Sequence, residues 1–138
     1  MEQVSYQVMK IQSLMLKQMM KGLADTEIST GQPKVLAYLH AFEGKCQKEI
    51  AEACLIEPGS LTILLNRMEM QNMIERRFQG GNRKTRYVYL TEYGKSLADR
   101  VIKRFNEVQE MALQGFSKEE TDSFQKMCAH MLDNLTLE

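Results

Sequence analysis

Apolar residues recur at three- and four-residue steps in the first segment, from Gln3 to about Leu23, where Val4, Val8, Ile11, Met15, Met19 and Leu23 form one stripe. Leu14, Leu16 and Met20 widen it, so the pattern predicts a long helix with a broad apolar face. Gly22 and the polar run Asp25-Thr26-Glu27 end it. Ser29-Thr30-Gly31-Gln32 then matches a capping box, with Pro33 in the first turn, where its missing N–H costs least. Val35, Leu36, Leu39 and Phe42 give a short second helix, closed by Glu43-Gly44.

Two helices follow closely, about Gln47–Cys54 and Pro58–Met70, separated only by Leu55-Ile56-Glu57. This is a helix-turn-helix spacing: Ile50, Cys54 and Ile56 face inward, Ala51 is small where the helices approach, and Leu61, Leu64 and Leu65 pack back. A bland helical hairpin shares that apolar spacing, so the next segment decides. Ile74–Gln79 and Thr85–Leu90 are rich in β-branched and aromatic residues, and Gly80-Gly81-Asn82 between them signals a hairpin. From Thr91, an N-cap, a long helix runs to about Gln114 with Leu97, Val101, Ile102, Phe105, Val108 and Met111 on one side. Gly115 breaks it, Ser117-Lys118-Glu119-Glu120 is a second capping box, and the last helix carries Phe124, Met127, Cys128, Met131, Leu132 and Leu135.

The expected fold is therefore mainly α with a small two-stranded β wing, a winged helix-turn-helix flanked by N- and C-terminal dimerisation helices. Residues 1–138 form a single domain, with 28–90 the DNA-binding lobe and 3–24 and 91–136 the dimerisation lobe. Broad apolar stripes on terminal helices need a partner, and a two-fold homodimer supplies one while presenting two readers to a palindromic site.

Charge sharpens this picture. Eighteen basic and eighteen acidic residues cancel over the chain, yet residues 67–86 hold Arg67, Arg76, Arg77, Arg83, Lys84 and Arg86 against only Glu69 and Glu75. A local excess of positive charge is the electrostatic footprint of a nucleic-acid contact. No apolar run approaches the ~20 residues of a bilayer span, and the N-terminal residues lack an export pattern, so a cytoplasmic protein without membrane contact is expected. Cys46, Cys54 and Cys128 have no Cys-x-x-Cys spacing, which suits a reducing compartment. His40 with Glu43, and the distant His130, form no metal-ligand cluster; no phosphate-cradling loop, zinc-protease motif or nucleophilic triad is present. Neither catalysis nor a cofactor is expected. The competing class is a winged helix devoted to protein–protein contact without DNA, against which the basic run argues.

Several strings resemble the MarR family of bacterial regulators over roughly residues 5–136. Arg86-Tyr87-Val88-Tyr89-Leu90-Thr91-Glu92-Tyr93-Gly94 is similar to its last wing strand and lead-in to the long dimerisation helix. Ile28-Ser29-Thr30-Gly31-Gln32 with Val35-Leu36 resembles its Leu-Thr-x-x-Gln segment. Arg67-Met68-Glu69 followed by Ile74-Glu75-Arg76 resembles the end of its recognition helix. The resemblance implies a ligand-responsive repressor binding double-stranded DNA. Three departures matter. The wing reads Asn82-Arg83-Lys84-Thr85 instead of Asp-x-Arg and a small residue, which removes the bracing ion pair. The recognition helix has Ser60-Leu61-Thr62-Ile63 where the family has Thr-x-Thr and Arg. No cysteine precedes Cys46, so oxidant sensing by the family's N-terminal cysteine route is not expected.

On this reading Pro58, Gly59, Ser60 and Thr62 lie nearest the base edges, unless the two hydroxyls are ordinary caps. Asn66 follows, and Arg67 either contacts phosphate or braces the wing. Gln47 and Lys48 open the preceding helix, where free N–H groups favour a phosphate, although a solvated lysine reads similarly. Arg83 and Lys84 reach for the minor groove. Arg76, Arg77 and Arg86 divide between DNA and solvent or a carboxylate. Most of the eleven methionines suit the core, but Met15, Met19, Met20 and Met111 lie on helices that in this family flank a pocket, and a small apolar or aromatic effector is the expected occupant.

Overall fold

The computed structural model describes residues 3–136. Its elements are α1 (Val4–Gly22), α2 (Gln32–Ala41), β1 (Lys45–Cys46), α3 (Gln47–Cys54), α4 (Pro58–Met70), β2 (Ile74–Gln79), β3 (Asn82–Leu90), α5 (Glu92–Ala112) and α6 (Lys118–Thr136). The helix-turn-helix pair falls on the residues its periodicity indicates. Leu55, at φ 54°, makes the left-handed turn that closes α3. The core forms where α2, α3, α4 and the base of the hairpin meet: Val35, Leu36, Leu39, Ile50, Leu61, Leu65, Met68 and Val88 are fully enclosed. Each large aliphatic buried there contributes roughly 1.5–3 kcal/mol of transfer free energy.

Four details depart from the sequence expectation. The sheet has three strands, in the order β1-β3-β2, because Lys45 and Cys46 pair antiparallel with Val88 and Tyr87. A two-residue strand carries no alternation to read. Phe42 is 53% exposed; the chain leaves α2 at Ala41, and the ring turns out to lie 5.2 Å from Tyr38. At Ser29 only the Gln32 half of the capping box is made, with the Ser29 N–H donating to Gln32 Oε1 at 3.0 Å, because Gly31 is the residue at the N-cap. Gln32 is itself fully buried, and its amide donates to Gln71 Oε1 at 2.7 Å, tying the start of α2 to the end of α4. Finally α5 ends at Ala112, two residues early.

The second capping box is complete: the Ser117 N–H donates to Glu120 Oε1 (2.9 Å) and the Glu120 N–H to Ser117 Oγ (3.1 Å). Thr91 caps α5 by accepting from the Gly94 N–H at 2.9 Å, and its own N–H and hydroxyl reach the Met73 and Asn72 carbonyls at 3.1 and 2.6 Å. The long helix is thereby fastened to the start of β2.

α1 and α5 are joined by Arg104, whose guanidinium donates to the Gln18 carbonyl at 2.9 and 2.6 Å. α6 has no buried residue, although Phe116 before it and Phe124, Met127, Met131, Leu132 and Leu135 along it are large and apolar. Val4, Val8, Met9, Ile11 and Leu14 of α1 are exposed as well.

Candidate nucleic-acid interface

Helix α4 begins at Pro58, whose missing N–H suits the first turn, and is capped by Glu57. The Glu57 carboxylate accepts from the Ser60 N–H at 3.0 Å and lies 3.4 Å from Ser60 Oγ. Backbone N–H groups of Gly59 and then Ser60 hold this carboxyl below the usual glutamate range. Glu57 was not among the candidate residues. An acidic side chain immediately before a helix-opening proline is the signal that marks it. Its presence means that an anion already occupies the helix N-terminus, so α4 does not offer that end to a phosphate.

Thr62 Oγ1 donates to the Pro58 carbonyl at 3.0 Å and accepts from Gln47 Nε2 at 3.1 Å, which joins the two helices of the reader. Asn66 Oδ1 accepts from Arg76 Nη2 at 2.9 Å. The hydroxyls and amides of α4 are thus largely engaged within the protein.

Strand register sorts the hairpin arginines. Ile74 stands opposite Leu90 and Arg76 opposite Val88, so Arg76 shares the inward face with three buried apolar residues. Burial lowers its pKa while Glu69 opposes the shift, and its Nε is enclosed without a partner. Arg77, one residue on, faces the other way; it pairs with Glu75 and lies 4.4 Å from the Tyr89 ring centre. Its hydrogen bond to the Glu75 carboxylate raises its pKa. Arg86, opposite Phe78, shares the parity of Arg76 but lies beyond the core and is exposed.

After the Phe78–Arg86 pair the register jumps to Gln79–Asn82, leaving residues 83–85 of β3 outside the ladder. Asn82 Oδ1 accepts from the Lys84 and Thr85 N–H groups at 2.9 and 3.3 Å. This Asx-type turn holds the wing tip without an ion pair. Arg83 and Lys84 project from the bulge, exposed. Among the described residues, Lys48, Arg67, Arg83, Lys84 and Arg86 make no side-chain hydrogen bond or ion pair, whereas Arg76 and Arg77 are both committed.

Between α1 and α5 lies a cleft of about 290 Å³ lined by Ile11, Leu14, Met15, Gln18, Val108 and Met111. Met19 is 3% exposed in the core and Met20 packs against it, so only Met15 and Met111 of the four methionines meet at this cleft. Among the described residues no group of three His, Cys, Asp or Glu side chains is placed to hold a metal, and no helix is long and apolar enough to cross a membrane.

A helix-turn-helix whose second helix leads straight into a hairpin with a basic tip is the arrangement of winged-helix DNA-binding proteins. Residues 28–85, from the lead-in of α2 to the wing tip, match the MarR family model. An uncharacterised HTH-type transcriptional regulator of Bacillus subtilis, YybA, is 23% identical over 111 residues, 80% of this chain and 74% of that protein. The DNA complex of Staphylococcus aureus MepR superposes with a TM-score of 0.90 at 24% identity, covering 99% of this chain and 100% of that one. Bordetella bronchiseptica BpsR, whose DNA binding is regulated by 6-hydroxynicotinic acid, gives a TM-score of 0.84 at 16% identity over 96% of this chain and 94% of its own. Both likenesses carry the fold.

Proposed function

We propose that the protein is a cytoplasmic, homodimeric, ligand-responsive repressor that binds a palindromic operator through α4 and the wing. The observation that carries the DNA reading is the division of its basic residues. Five cations of the reader and hairpin are free of intramolecular partners, and two of these stand on a bulge whose backbone is held by Asn82. Pro58, Gly59, Ser60 and Thr62 open the major-groove helix, Arg67 and Lys48 take phosphates, Arg83 and Lys84 enter the minor groove, and Arg86 follows the backbone beside the wing. Arg76 and Asn66 serve as a brace between wing and helix, and Gln47 with Thr62 as the equivalent brace within the reader. Arg77 supports the outer face of the hairpin.

Dimerisation through α1, α5 and α6, the helices outside the 28–90 lobe, is supported by the uncovered apolar side chains of α1 and α6. A nineteen-residue helix with no buried position is not stable by propensity alone. The Met15–Met111 cleft is the candidate seat of a small apolar or aromatic effector, a reading that the ligand control of BpsR supports.

The test is a salt titration of binding to DNA from upstream of the protein's own gene. Each neutralised phosphate adds about 0.9 to the slope of log affinity against log salt. Arg83→Ala/Lys84→Ala removes two cations per subunit, and a dimer should lose about 3 to 4 units of slope. An unchanged slope removes the wing from the interface; no binding at low salt by a folded dimer rejects the DNA reading.

A further inference from the structure

The outward face of α4 is centred on a side chain that cannot hydrogen-bond. Ile63 is 73% exposed, while Leu61, Leu65 and Met68 on the opposite side of the same helix are fully buried. At 100° per residue, Gly59, Ser60, Asn66 and Arg67 flank Ile63 on the turns before and after it. Nothing in the core uses this isoleucine.

The hydroxyls and the amide oxygen beside it, moreover, are engaged within the protein. Ser60 is held by Glu57, Thr62 by Pro58 and Gln47, and Asn66 by Arg76. What the centre of the face presents without an internal partner is one branched aliphatic group, with the Asn66 Nδ2 amide and the Arg67 guanidinium one turn later as its unpartnered donors. In a major groove an aliphatic group has one favourable counterpart among the base edges, the C5-methyl of thymine; against an exocyclic amine or a carbonyl oxygen it leaves a polar group dry.

We propose that Ile63 is a specificity-determining residue that selects a thymine, through its methyl group, at one position in each operator half-site. The inference rests on the placement of α4 in the major groove proposed above, and adds which base the helix demands there. Selection is partly by attraction, since a methyl leaves water on both sides of the contact, and partly by exclusion, since a guanine or cytosine edge would lose its hydrogen bonds to water. Thr62 reinforces it: with its hydroxyl turned to the Pro58 carbonyl, it too lacks a free donor to recruit a different base.

The experiment starts from a pool of randomised 26-base-pair duplexes selected with the full-length wild-type protein, and the winning duplex is then remade with deoxyuridine in place of thymine, one symmetric pair at a time. Deleting one methyl from a buried apolar contact weakens binding about fourfold, hence about fifteenfold for a symmetric pair. One thymine pair should show that loss with the wild type and none with Ile63→Ala, whose exposed position leaves folding untouched. Ile63→Arg selected on the same pool should replace that thymine by guanine. Equal tolerance of deoxyuridine at every position, or identical preferences from wild type and Ile63→Ala, overturns the assignment while leaving the major-groove reading intact. If a folded wild-type dimer enriches no duplex at low salt, both fall together.

Discussion

Gly94 is the point at which a single methyl group should separate the reader from the long helix. A Cβ built there would lie 1.9 Å from the Met73 carbonyl oxygen and 2.9 Å from its carbon. Both obstacles are backbone, so no rotamer change relieves them. Ordinary contact begins at 3.4 Å, which requires α5 and the start of β2 to part by about 1.5 Å. That movement breaks the Thr91 N–H bond to Met73 (3.1 Å) and loosens the Thr91 hydroxyl bond to Asn72 (2.6 Å). Overpacking costs about 1–3 kcal/mol, and each lost hydrogen bond about 1 kcal/mol more. Gly94→Ala should therefore destabilise by about 2–4 kcal/mol, or roughly 8–15 °C in Tm for a chain of this size. Differential scanning calorimetry at fixed protomer concentration reads it, because dimer melting depends on concentration. Gly81→Ala is the control: its Cβ meets nothing within 4 Å. A Tm within about 2 °C of wild type for Gly94→Ala would show that the α5 junction is not the rigid fastening argued above.

Asn82→Ala should release the wing tip and raise amide exchange at Lys84 and Thr85 about tenfold, whereas Asn82→Asp keeps the acceptor and the protection; hydrogen-exchange mass spectrometry separates the two. Arg76→Ala and Asn66→Ala remove the same hydrogen bond, so their urea-melt destabilisations should be non-additive by about 0.5–1 kcal/mol, and simple additivity would deny the brace. Asp25, Glu49 and Glu57 are all held below their ordinary carboxyl values, by the Arg100 hydrogen bond, the Cys46 N–H and the Gly59 N–H respectively. A depressed folded pKa gives stability that is complete above the ordinary value and lost as pH falls through the folded one. Urea midpoints should accordingly hold steady down to about pH 5 and decline below it, more shallowly in the Asp25→Asn/Glu49→Gln/Glu57→Gln variant.

Periodicity located the helix-turn-helix pair, the hairpin and the three long helices outside them, because a side chain's burial on a regular element follows from spacing along the chain. Thr91, Ser117 and Pro58 marked helix starts for the same reason: a cap is a contact within four residues. The basic character of the segment 67–86 was equally legible, being a sum over residues. Which of those cations remain free was not. Arg76 and Arg77 are adjacent and chemically identical, yet one is drawn under the hairpin to Asn66 and the other paired outside it, because the register with β3 decides the face. The same holds for Phe42 and Met19, and for the short β1, whose partner lies some forty residues away. Sequence by itself determined the longer elements, several of their caps and the local charge, all properties of neighbours along the chain. Only the tertiary structure decided which side chains engage one another and which, like Ile63, Arg67 and the bulged wing tip, are left for another molecule. That outcome depends on distances between segments that no local pattern encodes.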